Sequence, residues 1–178
     1  MLIKRKIVGI IIISIGIFTP LISKYDSYKK EYIEKIEIEK YKNKEKNNYL
    51  MIIEIPKINL YKGIYRQEEK KNNISQNIKI LEYSNLSSNT IFLAAHSGSS
   101  YNAFFNNIID LYINDEIYVY YNNNKYTYLV SNKYYIEKTG YLEIENNLEN
   151  KLILITCSLT YTNKQLIIIS SLSKTEQL

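Results

Sequence analysis

The sequence predicts a mostly β domain, a barrel or a sandwich with one or two short helices, behind an apolar N-terminal helix. Three observations carry this. After Tyr49 the chain breaks into short runs rich in Ile, Leu, Val and Tyr, punctuated by Asn, Ser and Gly. Asn122-Asn123-Asn124 sits between two such runs, 116–121 and 125–131, as a hairpin turn would. Residues 7–23 carry no charge, are dominated by Ile, and follow Lys4, Arg5 and Lys6.

Taken in order, residues 1–6 form a basic tip and 7–23 lie at the short limit of a spanning helix. No small-residue cleavage site of the secretory type follows. The expectation is an uncleaved signal anchor with its cationic end inside and the rest of the chain outside. Residues 24–49 mix Lys and Glu, and Tyr25, Tyr28, Tyr32 and Ile36 fall at helical spacing, which predicts a juxtamembrane stalk. The domain occupies 50–178. Its predicted strands are 51–55, stopped by Pro56, 59–65 around Gly63, 78–81, and 90–95 leading into His96. Ala103, Phe104, Asn107, Ile108 and Leu111 mark a short helix. The hairpin follows, with 134–136 continuing the sheet, then a polar loop over 139–150 and two last strands, 151–156 and 165–172.

The net charge of +5 does not belong to the domain. The tip holds three positive charges and the stalk eight Lys against six acids, so 50–178 balances at twelve of each sign. A nucleic-acid partner is therefore not expected, because the folded part presents no electrostatic footprint. Paired acids such as Glu68-Glu69 and Asp115-Glu116 read as solvated surface, and Glu143 with Glu145 as a weak cation candidate. Scattered glycines exclude a phosphate loop.

The chemistry lies in one histidine and one cysteine. His96 follows the run 91–95 and Cys157 follows 152–156, both at the ends of hydrophobic strands. One Cys with one His is too few for a zinc site, and no cofactor is called for. A lone thiol in an exported domain is either buried or reactive. A thiolate beside an imidazole supports acyl transfer, the ring acting as base and then as acid toward a leaving amine. Two inert core residues are the plain alternative.

The chain resembles the sortases, membrane-anchored cysteine transpeptidases of Gram-positive bacteria. The resemblance rests on Ile153-Leu154-Ile155-Thr156-Cys157, close to the family's Thr-Leu-x-Thr-Cys, and on Leu93-Ala94-Ala95-His96-Ser97-Gly98. Residues 110–120 resemble the family's helix-to-strand passage and 55–60 the domain's opening. The resemblance implies a closed barrel of mixed strands with an N-terminal transmembrane helix and helical stalk. It implies Cys157 as nucleophile, His96 as general acid/base, and Thr156 and Ser97 as substrate-contacting residues. It further implies surface proteins bearing a Leu-Pro-x-Thr-Gly-like sorting signal as donors, and a peptidoglycan-precursor or pilin amine as acceptor.

One departure stands out: where the family carries a catalytic Arg before the last strand, this chain reads Lys164-Gln165. Gln165 fits the register best, with Lys164 second, as oxyanion partner. A degenerate surface-binding module is the main alternative. A wall L,D-transpeptidase is disfavoured, because Thr156 precedes the thiol where Ser-His-Gly-Cys is expected.

Overall fold

The computed structural model describes residues 2–45, 47–139 and 148–178, the side chains of 2–15, 17, 23 and 27 excepted. The chain divides into two compact units, Met1–Glu45 and Lys46–Leu178. The first is a single helix, α1 (Leu2–Lys42), with Pro20 inside it. The tyrosine spacing is thus helical as expected, and the helix passes without a break through the anchor–stalk boundary set at 23/24. Ion pairs one turn apart, such as Lys35–Glu31 at 2.9 Å, decorate its later half. Among the described residues no helix is long and apolar enough to cross a membrane. The span read at 7–23 falls mostly on residues whose side chains lie outside the description.

Among its described residues the second unit holds eight strands: β1 (Tyr49–Ile55), β2 (Leu60–Tyr65), β3 (Lys79–Ile80), β4 (Ile91–Ala94), β5 (Glu116–Tyr121), β6 (Asn124–Glu137), β7 (Lys151–Cys157) and β8 (Lys164–Gln177). They make one sheet in the order β2-β1-β5-β6-β8-β7-β4-β3. Every neighbouring pair is antiparallel except β4 and β7, which run parallel. The sheet curls into a barrel that is nearly, not fully, closed, which corrects the closed barrel expected. β2 and β3 end the strand order with no ladder between them. A side chain spans the seam instead: buried Asn77 donates from Nδ2 to the Gly63 carbonyl at 2.8 Å.

Among the described residues three 3-10 helices (Pro56–Ile58, Leu86–Ser88 and Asn106–Asp110) stand where one or two short helices were expected. The helix read over 103–111 shrinks because its ends are engaged elsewhere. The Phe105 N–H donates to the His96 carbonyl at 3.1 Å, and the Lys133 ammonium donates to the Ile109 and Leu111 carbonyls. The hairpin turn is Asn122-Asn123, at φ 49° and 60°, the mirror-image geometry that fits the twist of two strands. β6 and β8, 14 residues each, pair along their length, and register shifts near Val130 and Thr127 let them coil.

Alternation fixes what faces where. Ile91 and Leu93 of β4, Leu152 and Leu154 of β7, and Leu166 and Ile168 of β8 point into the main core. Their alternates Phe92, Ala94, Ile153, Ile155 and Ile167 form a second, smaller cluster on the outer face. Ile74, Leu81 and Leu148 pack against that outer cluster, so these three strands are apolar on both sides.

Gly63 is fixed by close approach, not by a bulge. A Cβ there would lie 2.3 Å from the ring of Tyr49, which is buried and packs edge-on against Tyr65. Gly63→Ala is expected to destabilise the domain by about 1–3 kcal/mol through overpacking, read by chemical denaturation. An unchanged midpoint would mean that the Tyr49 ring moves aside freely.

Candidate active site

The parallel pair builds the site. β4 and β7 pair from Ile91↔Leu152 to Ala94↔Ile155. The ladder stops there, and two further steps in the same register would bring His96 level with Cys157. Backbone and hydroxyl bonds continue the pairing past the strand ends. The Ala95 N–H donates to the Ile155 carbonyl at 3.2 Å. Thr156 Oγ1 donates to the Ala95 carbonyl at 2.8 Å, and Ser97 Oγ donates to the Cys157 carbonyl at 2.6 Å. Ala95 joins the inner core, and by alternation along β7 Thr156 faces inward and Cys157 takes the face of the outer cluster. His96 and Cys157 are both half-buried.

The antiparallel partner of Cys157 across β8 is Gln165. Directly opposed residues share a face, with Cβ atoms about 4.5–5.5 Å apart. Cys157 and Gln165 thus share one side of the sheet at adjacent strand ends, and His96 follows two residues past the end of the next strand, β4. Lys164, one residue along, belongs to the other face. Its ammonium lies 3.5 Å from a Glu137 carboxylate and 5.4 Å from the centre of the Tyr161 ring.

Thr156 and Ser97 come to the site, but their hydroxyls are spent on backbone carbonyls. At 4% exposure Thr156 presents little surface to a ligand. Cys157, Ser97 and Thr156 line a narrow cleft at the barrel rim together with Tyr135, Leu159 and Leu166; His96 does not line it. Of the polar loop read over 139–150, residues 140–147 lie outside the described residues, and Glu143 and Glu145 with them.

Sequence reasoning missed Asn106. Its side-chain oxygen accepts from the Gly98 N–H at 2.6 Å while its NH2 donates to the Gly98 carbonyl at 2.9 Å. The available signal was Gly98 itself, which sits at φ +116°, a conformation that favours glycine and needs support.

A half-buried thiol and an amide at adjacent strand ends of a β-barrel, with the imidazole just past the end of β4, are groups that can support cysteine acyl transfer. The model of the sortase domain matches residues 53–173. The chain belongs to the sortase family, whose members are cysteine transpeptidases.

Solved structures agree on the fold. Sortase A of Listeria monocytogenes superposes at a TM-score of 0.60 with 22% identity, covering 74% of this chain and 92% of that one. Sortase C-1 of Actinomyces oris gives 0.61 and 21%, covering 72% and 74%. A sortase C of Streptococcus pneumoniae, described with its pilin substrate specificity, gives 0.63 and 16%, covering 75% and 74%. A comparison with curated protein sequences gives no match.

Replacing the Thr156 hydroxyl tests the stitching of the two strands. Thr156→Val leaves the Ala95 carbonyl without its buried donor and is expected to cost about 1–3 kcal/mol in a denaturation series. Thr156→Ser, which keeps the hydroxyl, should recover most of it. Equal losses for both variants would assign the effect to packing.

Proposed function

We propose that this chain is an active cysteine transpeptidase that cleaves a Leu-Pro-x-Thr-Gly-like sorting signal and passes the acyl group to a peptidoglycan-precursor or pilin amine. What supports the reading is the strand pairing: Gln165 lies opposite Cys157, and the parallel β4–β7 register, which runs to Ala94↔Ile155, carries the His96 segment to the same end of the sheet. In this mechanism Cys157 Sγ attacks the threonyl carbonyl, and the oxyanion takes a hydrogen bond from the Gln165 amide. His96 gives its proton to the departing glycine nitrogen, the C–N bond breaks, and a thioester remains. The incoming amine attacks that thioester, His96 accepts its proton, and the thiolate leaves.

The reading favours Gln165 over Lys164, since Lys164 is held toward Glu137. The test is cleavage of a fluorogenic sorting-signal peptide by the full-length chain. Cys157→Ala and His96→Ala should abolish turnover. Gln165→Ala should lose roughly a hundredfold in kcat, the cost of one oxyanion donor, and Lys164→Ala should change little. No cleavage by the parent with strong gain in Gln165→Arg would instead favour the second reading, a catalytically lapsed surface-binding module. That reading draws on the missing Arg.

Residues 7–23 are proposed as the anchor that holds the domain outside the cell, the charge-free stretch behind Lys4, Arg5 and Lys6 being its support. After cell fractionation the chain should pellet with membranes and resist carbonate extraction. Protease added to intact protoplasts should remove the 50–178 domain. Recovery in the soluble fraction would refute the anchor.

A further inference from the structure

The histidine loop is secured by a residue that has no part in the acyl-transfer scheme. The loop leaves β4 at His96 and returns at Phe105, whose N–H donates to the His96 carbonyl at 3.1 Å. Between those points Gly98 adopts φ +116°, outside the conformations that hold themselves in place by ordinary strand or helix bonding. Both polar groups of the Gly98 backbone are instead held by one side chain, the Asn106 amide, at 2.6 Å and 2.9 Å. A primary amide carries a donor and an acceptor side by side and can satisfy both groups of one residue.

Asn106 is itself fixed. It opens the 3-10 helix Asn106–Asp110. The far end of that helix is held by Lys133 of β6, which donates to the Ile109 carbonyl and, at 3.0 Å, to the Leu111 carbonyl. On the opposite side of the loop, Ser97 is tied to the Cys157 carbonyl. The loop is therefore clamped between the thiol's strand and a helix anchored to β6.

We infer that Asn106 is a positioning residue: through Gly98 it holds His96 in register with Cys157, so that the thiol depends on Asn106 by way of the imidazole. The inference rests on the Cys157–His96 couple proposed above, but not on any particular substrate. Thr156 and Ser97 fix the strand ends; Asn106 fixes the direction in which the chain leaves them.

The experiment uses alkylation of the single thiol by iodoacetamide in the full-length chain, which needs no peptide substrate. Rates are measured near neutral pH for the parent, His96→Ala, Asn106→Ala, Asn106→Asp and the His96→Ala/Asn106→Ala pair. Asn106→Ala should slow alkylation by roughly tenfold, as expected for displaced reacting groups, and should add nothing when His96 is already absent. Asn106→Asp keeps an acceptor for the Gly98 N–H and should fall between parent and Asn106→Ala.

A merely structural role predicts another pattern, an added loss in the double variant that tracks the melting temperature. That pattern, or parent-like alkylation in Asn106→Ala while His96→Ala is slow, overturns the inference and leaves the catalytic couple standing. Parent-like alkylation in His96→Ala removes the couple and the inference together. A His96-dependent thiol in a chain that cleaves no sorting-signal peptide removes the transpeptidase alone.

Discussion

The parallel contact between β4 and β7 is the constraint on which this site depends. A thiol and an imidazole far apart in sequence become neighbours only if two strands end level with each other. Parallel pairing gives that directly, because equal steps along both strands keep partners abreast. The bonds beyond the ladder, from Ala95 to Ile155 and from Thr156 to Ala95, stop the ends from fraying where the reactive groups sit. Ser97 then ties the histidine segment to the Cys157 carbonyl. Two hydroxyls that look like substrate ligands in the sequence thus bond to the backbone at these strand ends.

Parallel strands also need cover on both faces, and the composition of β4, β7 and β8 answers that need. Their inward residues join the barrel core, and their outward residues form the second cluster under Ile74, Leu81 and Leu148. The site lies where this outer cluster runs out, at the strand ends. That location leaves Cys157 half-buried: apolar neighbours precede it, and Ser158 and exposed Leu159 follow it. The open seam between β2 and β3 lies at the sheet's two ends, and the Asn77 amide spans it.

Much of this was legible in residues. The near-continuous apolar runs ending at His96 and Cys157 gave the two strands and their exits, and the asparagine triplet gave the hairpin, since Asn tolerates the positive φ that Asn122 and Asn123 adopt. What stayed hidden was mostly pairing between distant segments. Nothing local says that β7 lies between β4 and β8, so the register that brings Gln165 opposite Cys157 follows only from the sheet. The short helix was overread because apolar spacing at 103–111 satisfies a helical period, while Lys133 and His96 claim the backbone groups at its ends from outside it. Asn106 was invisible for the same reason, its partner being a backbone eight residues earlier in a loop.

In the proposed mechanism, a glutamine opposite the thiol, where the family resemblance implies an arginine, changes the electrostatics more than the geometry. A guanidinium is charged throughout, offers a planar fork of donors, and would stabilise a thiolate as readily as an oxyanion. An amide donates hydrogen bonds without a net charge, so it favours the oxyanion by contact and does little for an anion at a distance. With Lys164 turned to Glu137, the ladder position beside Cys157 is neutral. In the proposed mechanism the imidazolium then supplies the positive charge that the arginine would have shared. Holding His96 in place becomes correspondingly more important, which is the work assigned to the Asn106–Gly98 clamp.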